Sequence, residues 1–586
     1  MGSAALAQSV APLPAQRDAA GWARWIWPGC LLAILGVLVI YPLAMLVIGA
    51  STNINPTVGG WGLDAFTVEN YLEVVTNPNV HRAMFNSLIA SLGGALLAVA
   101  IGLFFAWVVT RTDTPLKNMI ELAGMLPLFV PPLVAAFAWS LLGSPSTGII
   151  NILLEGSGLG WRVNFYSLGG IIFVFGVYYA PYVYMFTAAS LKQMDPALEE
   201  ASAISGVGPF GTMLRVTLPL IAPAILSGGL LAFVVMLGIY GIPAILATPA
   251  RETFLTTYIF TLVSWSPPLY NKAAAVSTLL VAVTALCVYV QHRLLAGRSF
   301  VTVAGKSFKP RQLNLGPWRY VTLAFALAYL FVVVVAPSAA LLIAALRKFL
   351  FIPTVASLFD ISQYSLTHFK NLFDNPLTLR SIGNGLKVGF AAAFVGGALS
   401  FAIGYTIHRS RTPGRALIDY LTTVPIAVPG LVIGVAYLWA WVHLPGGLFG
   451  TIWILALAFV ARFLPDTVKA LSSSLMQVHH ELEEASVICG HGLLSTIRRI
   501  VLPLTWPGVL SGMVLLFVLS IRELGSSLFL YTSDSIIMSV LLLDFFEGGN
   551  IGVTAAFSVF QSVLLLVIIG TAHHFTRTTT DLAASG

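Results

Sequence analysis

Long apolar runs alternate with short polar stretches along the whole chain of 586 residues. A bilayer core about 30 Å thick needs about 20 apolar residues per helix, and twelve runs reach that length. They fall at about 26–49, 84–110, 119–143, 167–190, 219–247, 271–291, 319–346, 381–407, 417–442, 450–474, 504–530 and 550–572. The pattern predicts an all-α polytopic membrane protein of about twelve transmembrane helices. The first run is too long for a cleaved signal peptide, and no small-residue cleavage site follows it at the right distance. Residues 1–24, rich in Ala, Pro and Gln, read as a disordered tail.

Composition removes the other classes. Hydrophobic residues make up 58% of the chain and charged residues only 9%, where a soluble domain carries about 25% charge. A water-soluble enzyme of this length has too little polar side chain to cover its surface. The cysteines (Cys30, Cys287 and Cys489) form neither a disulfide framework nor a metal cluster. The net charge of +7 is too thinly spread for nucleic acid, but its distribution reports topology. Arg111, Lys117, Lys192, Arg215, the linker 292–318, Arg409, Arg411, Arg415, Arg498, Arg499 and Arg577 share one side. Fewer basic residues (Arg82, Arg162, Arg251, Arg347, Lys348, Lys370 and Arg380) lie on the other. By the positive-inside rule both termini are cytoplasmic.

The chain repeats itself. Leu198-Glu-Glu-Ala-Ser-Ala-Ile-Ser-Gly206 recurs as Leu482-Glu-Glu-Ala-Ser-Val-Ile-Cys-Gly490, 284 residues later. Each copy runs on without a gap to a Leu-Pro-Leu, at Pro219 and Pro503. Upstream, Met125-Leu-Pro-Leu-Phe-Val-Pro131 parallels Thr423-Val-Pro-Ile-Ala-Val-Pro429, now 298 apart, so the first half holds extra residues around Ser144–Tyr166. Six spans per half put both halves in the membrane the same way up, as a parallel repeat. The expected layout is a first module over 25–291, a linker over 292–318, a second module over 319–574 and a tail over 575–586.

The repeated segment sits between the fourth and fifth spans of each half. Residues 195–205 read as a short helix with Asp195 as N-cap, Pro196 at its first position and Glu199 and Glu200 in its first turn. Gly206 permits the turn that ends it, and Leu-Pro restarts the chain as the next span. Glu-Ala-Ser, three residues, Gly, nine residues, a β-branched residue, one more and Leu-Pro resembles the EAA loop of inner-membrane permeases of binding-protein-dependent ABC importers. Ser202 and Ser486 stand where that family usually has Ala.

The resemblance implies a type I importer permease with its two modules fused. Its coupling residues here are Glu199, Glu200, Ala201, Gly206 and Pro219, and Glu483, Glu484, Ala485, Gly490 and Pro503. It also implies two copies of a cytoplasmic ATPase, a periplasmic binding protein and the bacterial inner membrane. This chain carries no cofactor and is no enzyme, since ATP and Mg belong to the ATPase. Its own Gly305-Lys306-Ser307 is a decoy: a phosphate-binding loop needs glycine where Phe300 stands.

Ionisable groups at membrane depth are functional candidates. Arg522 and Glu523 fall in the eleventh span, where the first half has only the oxygen of Tyr240. Glu523 either touches cargo or pairs with a basic group of a neighbouring helix. Arg462, Asp466 and Lys469 share one face of the tenth span and read as structural. Asp544 and Glu547 read as a solvated loop before the last span. Pro131 and Pro429, with Pro127, Pro132 and Pro425, are expected to break the third and ninth spans beside the pathway.

Tyr179-Ala-Pro-Tyr-Val-Tyr184 and Arg522-Glu-Leu-Gly-Ser-Ser most resemble the ferric-iron branch of these permeases. Fe(III) is a hard cation suited to carboxylate and phenolate oxygens, so Glu523, Tyr240 and the fourth-span tyrosines Tyr178, Tyr179, Tyr182 and Tyr184 are expected transient contacts for it. Phosphonate, thiamine, polyamine or a sulfate-like anion are the alternative cargoes. A secondary transporter also has parallel six-helix halves, but Thr110-Arg-Thr-Asp-Thr-Pro-Leu-Lys117 lacks the basic Gly-rich loop of that family.

Overall fold

The computed structural model describes residues 23–57, 65–158, 160–295, 312–410, 412–442, 444 and 447–585. Most of the N-terminal tail and the decoy at Gly305 lie outside them. The described residues are helical, with three isolated bridges in place of a sheet.

Nine helices are long and apolar enough to cross a membrane among these residues. In chain order they are α1 (Trp25–Ala50), α2 (Pro78–Arg111), α4 (Leu168–Gln193), α5 (Pro209–Gly238), α6 (Tyr270–Leu294), α7 (Trp318–Leu346), α8 (Pro376–His408), α11 (Leu493–Ile521) and α12 (Ile551–Thr571). Two bent pairs supply α3 (Lys117–Phe129 with Pro132–Gly143) and α9 (Arg415–Ala427 with Gly430–Trp441). The remaining expected span is α10 (Ile452–Gln477), of 26 residues. Arg462, Asp466 and Lys469 interrupt its apolarity.

The prolines act where the sequence placed them. At Pro131 and Pro429 the backbone leaves the helical region, and the two limbs diverge by 101° in α3 and 112° in α9. A proline has no N–H to give and its ring crowds the preceding turn. Elsewhere the same problem is solved by a wide turn. Four π turns (Gly36–Ile40, Met213–Thr217, Phe331–Val335 and Ile497–Val501) each end two residues before a proline, which relieves the clash without ending the helix.

This corrects two expectations. Pro219 and Pro503 do not begin the fifth and eleventh spans. They lie inside α5 and α11, which start at Pro209 and Leu493. These spans also stop early, at Gly238 and Ile521, so Arg522 and Glu523 stand at a broken helix end and not within a helix.

The modules exchange their first spans. α1 packs on α6 and on the second limb of α9, while α7 packs on α12 and on the second limb of α3. Polar side chains fasten the exchange: Tyr41 donates to the Ala440 carbonyl at 2.9 Å, Tyr437 to Leu38 at 2.8 Å and Tyr329 to Val177 at 2.8 Å. Without a hydrophobic drive between helices in lipid, close approach has to come from small residues. A Cβ on Gly94 would lie 2.6 Å from that of Phe175, and one on Gly228 would lie 2.8 Å from the Val183 backbone.

Candidate functional site: the duplicated loops and the seam

The two loops share one backbone fold. Pro196–Ile204 is a helix capped by Asp195, whose carboxylate accepts from the Ala197 N–H at 2.9 Å. Its twin is His480–Ile488, where His479 holds the cap position without a side-chain bond. Gly206 and Gly490 close them at φ +80° and +82°. The next N–H reaches back to Ser202 (3.1 Å) or Ser486 (3.1 Å), and the glycine's own N–H to Ala203 or Val487. That is the Schellman closure, in which a left-handed residue satisfies the last carbonyls. An alanine at either glycine meets open space, so its cost is backbone strain alone, about 1–2 kcal/mol. Gly206→Ala and Gly490→Ala are expected to fray these helices, seen as faster amide exchange over 201–208 and 485–492.

The serines at the third motif position have a task of their own. Ser202 bonds Thr212 at 2.9 Å and Ser486 bonds Thr496 at 2.8 Å. Each ties its short helix to the start of the following span, which an alanine there could not do.

The two glutamates of each copy divide their work. Glu200 and Glu484 are exposed, as are Ala201 and Ala485. Glu199 turns inward to Arg111 at the end of α2 (3.4 Å) and accepts from Thr217 at 2.8 Å. Glu483 does the same with Arg409 at the end of α8 (3.3 Å) and accepts from Tyr405 at 3.1 Å. Both arginine side chains are buried, 1% and 2% exposed. They are not the solvated topology markers that the charge pattern suggested. Their identical placement in the repeat, 298 residues apart, was the available signal. Around the outward glutamates stand matched exposed apolar side chains, Ile204 (87%) with Phe210 and Ile488 (73%) with Leu494.

At the seam between modules, each broken helix end meets the break of the other module. A Cβ on Gly238 would lie 2.7 Å from Pro429. Arg522, at the equivalent position in the second half, donates instead to the Leu128 carbonyl that the break in α3 sets free. The Ala427 carbonyl freed in α9 accepts from Thr284 of α6 at 2.5 Å. Broken helices at membrane depth are tolerable because neighbours satisfy such groups.

Glu523 has partners on a neighbouring helix and in its own loop. Arg462 of α10 approaches it at 3.2 Å, and Ser526 donates to it through its N–H (3.0 Å) and its hydroxyl (2.9 Å). Gly430, opening the second limb of α9, leaves the space this pair fills. Tyr178, Tyr179 and Tyr182 of α4 lie within electrostatic reach of Arg522. Tyr240 is buried against Phe260, with 5.1 Å between the ring centroids. No group of three His, Cys, Asp or Glu residues among the described ones is poised for a metal. Asp544 and Glu547 stand on the helix Met538–Glu547, beyond α11. Partial burial raises both carboxyl pKa values, and the Asp544 charge raises that of Glu547 further.

The sequence profile of the family described as "Binding-protein-dependent transport system inner membrane component" matches residues 78–301 and again 393–580. The chain belongs to that family. It is a fused two-module ABC importer permease of the bacterial inner membrane. Its similar relatives include a "Ferric transport system permease protein FbpB" of Actinobacillus pleuropneumoniae, 26% identical over 86% of this chain and 73% of that one. A "Putative ferric transport system permease protein FbpB 1" of Haemophilus influenzae is 24% identical over 86% of this chain and 78% of its own. A "Sulfate transport system permease protein CysT" of Salmonella typhimurium, 26% identical, covers 38% of this chain and 86% of its own.

Proposed function

We propose that this permease imports ferric iron handed over by a periplasmic binding protein, driven by two copies of a cytoplasmic ATPase that dock on the loops at 195–219 and 479–503. The observation that carries the docking is the matched outward surface: Glu200 beside Ile204 and Phe210, and Glu484 beside Ile488 and Leu494, all exposed. Two equal surfaces in a parallel repeat face the same side, which the basic loops make cytoplasmic, with both termini there. The relatives named for ferric transport, which span most of the chain, support iron as the cargo.

ATP binding draws the two ATPases together and the short helices with them. Those helices pull α2 and α8 through the Arg111–Glu199 and Arg409–Glu483 pairs. The modules then part along the seam beneath the docked binding protein. To reverse a strongly biased equilibrium, ATP has to favour the open state by about 5.5 kcal/mol.

The test is reconstitution of the permease with its ATPase in proteoliposomes. ATP-dependent uptake of radioactive iron from the loaded binding protein is the expected result. Uptake of sulfate with no uptake of iron would overturn the cargo, and uptake without any ATPase would overturn the mechanism.

A further inference from the structure

Several buried hydrogen-bonding groups at the seam lack partners. Tyr178 and Tyr179 are 3% and 1% exposed, and neither hydroxyl has a partner among the described residues. Arg462 lies close to Glu523 at 3.2 Å, yet its Nε and Nη1 have no aligned acceptor. Arg522 spends one N–H on the Leu128 carbonyl. On the other side of the account, Glu523 is already engaged by Ser526 and Arg462, and Asp466 faces Arg462 and Lys469.

Burying a hydroxyl without a partner is destabilising. Phenylalanine would keep the shape of either tyrosine without that cost. Two such groups on adjacent residues, both within electrostatic reach of Arg522, describe a binding site whose acceptor the packed seam does not supply. Glu523 offsets the charge of Arg462, which leaves the Arg522 guanidinium to disfavour a bare cation there. A planar guanidinium fork suits an oxyanion with two oxygens to offer.

We propose that, once the modules part, the seam binds an oxyanion (phosphate, sulfate or the carboxylates of a chelator) between Arg522, Arg462 and the hydroxyls of Tyr178 and Tyr179. The inference rests on the importer reading above, and with iron as cargo it means that the metal passes in company with its anion. Repetition in the chain sharpens the picture. Tyr178 and Arg462 are equivalent positions 284 residues apart, and so are Tyr182 and Asp466, so the two halves contribute different groups to one asymmetric site.

The experiment uses the permease–ATPase complex in nanodiscs, held open with ATP and vanadate. Binding of radioactive phosphate and sulfate is measured for the wild type, Tyr178→Phe/Tyr179→Phe and Arg522→Lys. Expected is saturable binding of at least one anion, weakened at least tenfold in both variants. In the tyrosine variant the unfolding temperature in chloride should stay the same or rise, because no existing hydrogen bond is lost. Binding equal to wild type in the tyrosine variant overturns the proposal, as does no saturable binding of either anion by a complex that still transports. Failure of the iron reading looks different: anion binding persists while radioactive iron is not taken up.

Discussion

Gly430→Val is expected to abolish uptake, lowering it by at least ~100-fold, while Gly383→Ala leaves it unchanged. A Cβ at 430 runs into the Arg462 guanidinium and would lie 2.7 Å from a Glu523 oxygen, whereas one at 383 meets nothing within 4 Å. Valine therefore has to expel one member of the pair. Separating a buried pair so that a charge is left alone costs about 3–5 kcal/mol, and each 1.36 kcal/mol lost from a rate-determining state is tenfold in rate. Uptake into proteoliposomes is the measurement, with ATP hydrolysis by the same complex as the check on assembly. Wild-type uptake by Gly430→Val would show that the seam does not need the Arg462–Glu523 contact.

Glu199→Gln with Glu483→Gln should uncouple the machine. The ATPase still docks on Glu200 and Glu484, but the short helices no longer grip α2 and α8. Arg111 and Arg409 lose their carboxylates inside the protein. The expected outcome is uptake down by about 100-fold, with the ATPase still co-purifying and hydrolysis no longer stimulated by loaded binding protein. Glu200→Lys with Glu484→Lys should do the reverse. These side chains are exposed, so the permease keeps its unfolding temperature but loses the ATPase on purification. If both double variants lose the ATPase equally, the division between inner and outer glutamates is wrong.

Much of this machine was legible before any coordinates. Apolar run length marks spans because lipid offers the backbone no hydrogen bonds, so each crossing must be a helix of fixed minimum length. The duplication located the two short helices and even their internal details: Asp195 caps, Pro196 opens and Gly206 closes, since capping depends on residues within one turn of each other. Prolines 131 and 429 announced the breaks for an equally local reason.

What escaped the sequence reading is what depends on distant partners. The exchange of α1 and α7 between modules leaves no local trace, because an apolar helix face fits many others. Arg111 and Arg409 read as loop charges until the fold turned them inward onto Glu199 and Glu483. Glu523 had no identified partner until α10 brought Arg462 within 3.2 Å, and the absence of a side chain at Gly430 acquired meaning only when that pair filled it. Local chemistry set the elements, their ends and their number of copies. Which charge faces which across the seam was settled by packing, because electrostatic pairing depends on distances that only the assembled helices create.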